Sequence, residues 1–189
     1  MKKIALVLIS LLIIGSVLTS CGSVKPFEFV QGGMTITLDS SFIRDVNIKG
    51  YSTAFQSSKA TVYVLREKFD AKSQDESITL DADMTLEEYA DVVFSVNGKE
   101  GLTVSSEGRH IYFVYEADHG DVPYTYHVCL YKTTDAFWMI QFVTPSESYE
   151  ELKADIASWS GSVVFAQEEE KETAADTTDT TTVETTGNS

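Results

Sequence analysis

The chain has 189 residues, with 29 acidic and 14 basic side chains and a formal net charge of −15. Hydrophobic residues make up 43 % and aromatics 11 %, enough to bury a core. That excludes a wholly disordered chain, a collagen-like one and a nucleic-acid binder working through a basic surface. Two cysteines cannot build a disulfide scaffold.

The charge is unevenly placed: residues 1–21 carry +2, residues 22–166 carry −11 and residues 167–189 carry −6. Lys2 and Lys3 precede an apolar run, Ile4 to Val17, broken only by Ser10, Gly15 and Ser16. Its 14 residues fall short of the ~20 a membrane helix needs and suit the core of an export signal. Leu18-Thr19-Ser20-Cys21 follows and resembles the bacterial lipobox. The resemblance implies diacylglyceryl attachment to the Cys21 sulfur and cleavage before Cys21. The competing readings are an ordinary signal peptide with an accidental Cys and an uncleaved anchor. Residues 1–20 are thus expected to be a lipoprotein signal peptide, and residues 21–26 a lipidated N-terminus with a short spacer. The partner this implies is membrane lipid, through acylated Cys21, at the extracytoplasmic face of the cell membrane. Cys129 is then the one other thiol, and its apolar run, Tyr126 to Tyr131, reads as a strand that buries it.

Residues 27–166 read as a single globular domain. Phe27 to Val30 and the alternating Met34 to Leu38 form an expected hairpin around Gly32-Gly33. Phe42 to Ile48 reads as an irregular turn or one helical turn. Tyr51 to Gln56 and Ala60 to Phe69 read as a strand pair, with Tyr63 and Leu65 on one face of the second strand and Val62 and Val64 on the other. Asp70 to Asp83 is polar and reads as a loop, with room for a short strand at Ile78 to Leu80.

Thr85-Leu86-Glu87-Glu88 is a capping box, opening a helix that places Leu86, Tyr89, Ala90, Val93 and Phe94 on one face and stops at Asn97-Gly98. Three strands follow: Arg109 to Glu116, Tyr124 to Lys132 and Ala136 to Val143. Both faces of these strands are apolar, so both should be covered, by helices or by a partner chain. Capping signals at Thr144-Pro145 and at Ser148 offer two starts for a second helix, with Tyr149, Leu152, Ile156 and Trp159 on one face and a stop at Ser160-Gly161. Ser162 to Phe165 reads as a last short strand. Residues 167–189, rich in Thr and acids and free of aromatics, read as a disordered acidic tail.

This order resembles the Mog1/PsbP-type fold, including DcrB-like bacterial lipoproteins. Three stretches carry the likeness: Thr35 to Asp39 leading to Phe42, the helix start Thr85 to Ala90, and the ending from Phe142 through Thr144-Pro145 to Ser162-Val163-Val164-Phe165. The resemblance implies an α+β domain, an antiparallel sheet of about six strands with helices packed on its faces as an α/β/α sandwich. Known members are non-catalytic partners of larger assemblies, so it leans toward binding rather than catalysis. It supplies no catalytic residue.

Candidate chemistry is sparse. Asp118, His119 and Asp121 concentrate two carboxylates and an imidazole in one turn, the weak candidate for a metal, although Asp and Gly are also what a turn requires. Asp81-Ala82-Asp83 begins like a calcium loop but lacks its later ligands and Gly. A loop of residues 117–122 would set His127 beside Tyr112 and His110 beside Cys129. No Gly-x-Ser-x-Gly, His-Glu-x-x-His or P-loop occurs, and no cofactor is called for. The tyrosines Tyr112, Tyr124, Tyr126 and Tyr131, with Tyr115, are the candidate binding residues, weighed against cross-strand pairing for stability alone. The expected function is a membrane-anchored, non-catalytic binding or accessory module of an envelope complex with an unidentified protein partner. The alternatives are a secreted metal-dependent hydrolase with a loop-assembled site and a small-molecule-binding lipoprotein.

Overall fold

A computed structural model describes residues 24–45, 48–69 and 78–166. The expected signal peptide, Cys21 and the expected disordered tail lie outside the described residues.

Among the described residues, ten strands, two α-helices and one 3-10 turn follow in order: β1 (Pro26–Gln31), β2 (Met34–Asp39), β3 (Ile43–Asp45), β4 (Thr53–Gln56), β5 (Thr61–Lys68), α1 (Leu86–Val96), β6 (Ser105–Glu107), β7 (His110–His119), β8 (Val122–Lys132), β9 (Ala136–Pro145), the 3-10 turn (Ser146–Ser148), α2 (Tyr149–Gly161) and β10 (Val164–Phe165). Seven strands build one antiparallel sheet in the order β3-β4-β5-β9-β8-β7-β6. The other three form a small sheet, β1-β2-β10.

The large sheet is apolar on both faces, and each face carries a covering layer, complete on one side and partial on the other. On one face α1 sets Tyr89, Ala90 and Phe94 against Phe113, Leu130 and Phe137. Its start is fixed by the capping box: Thr85 Oγ1 accepts from the Glu88 N–H at 3.1 Å, and the Glu88 carboxylate accepts from the Thr85 N–H at 2.7 Å. On the other face lie α2, through Leu152, Ile156 and Trp159, and the small sheet, through Met34, Ile36 and Leu38. Ser162, just past α2, accepts from the Thr37 N–H and donates to the Thr37 carbonyl, clamping the helix end onto β2.

Several expectations change. The sheet has seven strands rather than about six, and two of them were not expected: Ile43–Asp45, an edge strand on β4 where an irregular or helical turn was expected, and Ser105–Glu107, the edge strand on β7. One side of the sandwich is closed by a small sheet as well as a helix. Strand pairing runs to the tip of the β7–β8 hairpin, where His119 pairs with Val122 and only Gly120 and Asp121 turn. Gly120 takes φ +67°, which the two-residue turn needs and a side chain would resist. The register is therefore two residues away from that of a 117–122 loop: Tyr112 pairs with Cys129 and His110 stacks on Tyr131 at 4.9 Å rather than beside Cys129, while His127 does lie beside Tyr112, as expected, on the diagonal.

Candidate functional site: a tyrosine-lined sheet face

The eleven residues of α1 span about 16 Å, whereas the ten of β7 span about 33 Å. The helix therefore covers only part of its face. Beyond its C-terminal end the same face is paved with tyrosines. Alternation places Tyr63 on β5, Gln141 and Val143 on β9, Tyr124 and Tyr126 on β8, and Tyr115 on β7 on this side, because Tyr63 pairs with Gln141, Val143 with Tyr126 and Tyr126 with Tyr115. Tyr51, just before β4, stacks on Tyr63 with ring centroids 4.8 Å apart, and Tyr115 stacks on Tyr126 at 4.8 Å and 7°. All five tyrosines are half-buried: each ring packs on the sheet and leaves an edge in solvent.

The electrostatics follow from that packing. Burial, then the proximity of neighbouring phenols, pushes Tyr51 and Tyr126 above the ordinary phenol value and Tyr115 up to about 12. The nearby Gln141 amide works against this at Tyr51 by favouring its ionised form. The Lys99 ammonium lies 4.7 Å above the Tyr115 ring, a cation–π contact. The result is a surface of stacked tyrosine rings, with the Lys99 ammonium over one of them, in an otherwise acidic protein. Two clefts beside α1, one of them reaching Tyr115 and Gln141, hold about 20 Å³ each, room for one water and not for a metabolite.

No family model matches this sequence, and no curated protein matches it. Solved structures do. A protein from Bacteroides thetaiotaomicron VPI-5482 is similar over 73 % of this chain and 47 % of its own, with TM-score 0.50 and 11 % identity. This chain thus spans about half the length of that protein. The cyanobacterial PsbP (CyanoP) of Synechocystis sp. PCC 6803 is similar over 78 % of this chain and 98 % of its own, with TM-score 0.47 and 13 % identity. A point mutant of Mog1 is similar over 76 % and 96 %, with TM-score 0.46 and 10 % identity. PsbP and Mog1 structures are thus among those this α+β chain is similar to. The likeness concerns fold alone.

The sequence candidates divide by face. Tyr124 and Tyr126 stand on the open platform, while Tyr112 and Tyr131 point to the α2 side. There the Tyr131 hydroxyl donates to the Ser160 carbonyl at 2.8 Å and Tyr112 stacks on His127 at 4.7 Å. Asp118 and His119 end β7 and Asp121 sits in the turn, all exposed. Among the described residues no three His, Cys, Asp or Glu side chains gather into a metal-holding group. Cys129 is fully buried, and burial pushes its thiol well above the ordinary range.

Sequence reasoning missed Tyr51 and Tyr63. The alternation along β5 marks the face of Tyr63, but β5 pairs with β9, more than seventy residues away, and no local signal announces that neighbour.

A second cleft, of about 240 Å³, lies between the Gly32-Gly33 turn, β5 and the β8–β9 turn. The Arg66 guanidinium stacks 5.1 Å from the Trp138 ring and pairs with Asp135. Arg66 Nε and Trp138 Nε1 are buried donors without a hydrogen-bond partner.

Proposed function

We propose that this chain is a lipid-anchored, extracytoplasmic and non-catalytic binding module of the Mog1/PsbP-like kind, engaging a protein of the cell envelope through its tyrosine face. The lipobox Leu18-Thr19-Ser20-Cys21 supports the anchor, and the absence of a sequence motif for hydrolysis or phosphate binding supports binding over catalysis. The observation that carries the reading is the half-buried row Tyr51, Tyr63, Tyr115 and Tyr126 on sheet that α1 leaves open. Tyrosine rings held rigid by stacking lose little side-chain entropy on docking, and Tyr is enriched at interface centres.

The test is a photo-crosslinking amino acid placed at Tyr126 in living cells, with Glu151 on the solvent face of α2 as control. One discrete adduct from position 126, absent from position 151 and weakened about tenfold or more by Tyr115→Ala, is expected. Identical adducts from both positions, or none from 126 at normal expression, would remove the reading.

One observation favours small-molecule binding instead: the two unpartnered donors beside the 240 Å³ cleft, which suit a ligand carrying acceptor atoms. A thermal-shift screen of carboxylates and sugars against wild type and Arg66→Met would show ligand stabilisation lost in the variant.

A further inference from the structure

Among the described residues, five large hydrophobic side chains stand exposed, and four of them, Val24, Phe27, Val30 and Ile43, lie on the first two edge strands and the residues leading into them. Their exposures run from 50 % to 67 %. They flank one edge of the molecule from its two sides: Phe27 is on the Phe29 side of β1 and Val30 on the other, and Ile43 points away from Arg44, whose guanidinium donates to the Val30 carbonyl at 2.6 Å and sets β3 of the large sheet beside β1 of the small one. The edge is rigid, because Phe27 packs on Phe29 at 4.9 Å and Phe29 on Phe55 in the core at 4.8 Å.

Chain length fixes where this edge stands if Cys21 is acylated. The fold begins at Lys25, whose carbonyl accepts from the Ser40 N–H at 2.7 Å and whose N–H donates to Ser40 Oγ. Four residue steps separate Lys25 from Cys21, at most about 14 Å of extended chain. A diacylglyceryl group on Cys21 sits at the bilayer surface, so β1 cannot stand far from it. The charge agrees. Residues 24–50 carry three bases and three acids, whereas residues 51–166 carry a net −11. The edge nearest the anchor is the part of the domain an anionic membrane would not repel.

We infer that the β1–β3 edge is a lipid-contacting surface, resting Val24, Phe27, Val30 and Ile43 in the interfacial region of the bilayer. The inference rests on the proposed anchoring at Cys21. The tether and the apolar edge act as two signals, the tether raising the local concentration of an edge too small to hold the membrane alone. The tyrosine face is then held sideways to the membrane and open to partners.

The experiment uses the acylated full chain in vesicles of phosphatidylethanolamine and phosphatidylglycerol carrying headgroup-spin-labelled lipid. Phe27→Cys, Val30→Cys, Ile43→Cys and, as control at the hairpin tip, Val122→Cys are each labelled with an environment-sensitive fluorophore. The buried Cys129 does not compete for label. Blue-shifted emission and loss of most intensity to the quencher at 27, 30 and 43, with neither at 122, is the expected result. Vesicle flotation reports the anchor separately. If the protein floats and all four labels behave alike, the lipid-contacting edge is overturned while the anchor stands. If wild type floats no better than Cys21→Ala, the anchor falls and the inference with it. Blue-shifted labels in Cys21→Ala protein sedimenting as a dimer in solution would assign the edge to a second copy instead, overturning the inference.

Discussion

The Nδ1 atom of His127 lies 3.0 Å from the Tyr149 hydroxyl, joining the middle of β8 to the first turn of α2. His127 is 5 % exposed, stacked on Tyr112, and its Nε2 has no hydrogen-bond partner. Burial, with smaller contributions from His110 and Lys153, holds its pKa down to about 4.

A histidine kept neutral by folding makes stability fall with acid. Above pH 6.5 both folded and unfolded imidazoles are neutral and the effect is absent. As pH drops from 6.5 toward about 4 the unfolded chain takes up the proton that the folded one refuses, costing roughly 2–3 kcal/mol. Urea midpoints of wild type and His127→Gln, followed from pH 7.5 to 4, should converge as pH falls. Parallel curves would show that His127 is not the group responsible.

Thr85→Ala removes the hydroxyl that accepts from the Glu88 N–H, and should cost about 1 kcal/mol in urea unfolding. Thr85→Ser keeps the acceptor and should restore most of it.

The parts of this fold legible in the sequence were those fixed by neighbours a few residues apart. Thr85 to Glu88 announced α1, the spacing of Leu152, Ile156 and Trp159 announced α2, and two-sided apolarity in β7 to β9 announced two covering layers. What covered the second face was not legible, because β10 reaches β2 across about 130 residues of chain. The same limit hid the site. Tyr112 and Tyr126 look equivalent as strand tyrosines, and what separates them is cover: α2 lies over the face of Tyr112, whereas α1 stops short on that of Tyr126, while the two-residue turn at Gly120-Asp121 sets only which pairs meet across β7 and β8. The reading of Phe42 to Ile48 as an irregular turn or one helical turn misses β3, because a three-residue edge strand is too short to show alternation.

Phe137 is fully buried and stacked on Tyr89 at 4.3 Å and 7°, while the Tyr89 hydroxyl donates to the Glu67 carboxylate. Phe137→Ala should cost about 3–5 kcal/mol. It should also loosen α1, read as faster amide exchange at Tyr89 and Ala90 than at Leu152 and Ile156.

Cys129 should be inert to thiol reagents in the folded protein and react fully on denaturation, since burial both shields the sulfur and disfavours its thiolate. Reaction in native buffer at the rate of a free thiol would contradict the packing against α2.

Cys21→Ala should move the exported protein from the membrane to the extracytoplasmic soluble fraction, measured by fractionation and blotting. Firm retention would point to an uncleaved anchor.

The small sheet has a mechanical consequence. β1 and β10 both run antiparallel to β2, with Pro26 opposite Asp39 at one end and Phe165 opposite Met34 at the other. A protein held by its N-terminus and drawn from beyond Ala166 is therefore stretched along the strand axis. The load reaches the β1–β2 ladder as shear, with its hydrogen bonds sharing the force rather than opening one at a time. The weak point is the two-residue pairing of β10, reinforced by the Ala166 N–H donating to the Gly33 carbonyl at 3.0 Å and by the Ser162 clamp on Thr37. Under tension that seam yields first, and the β1–β2 hairpin yields last.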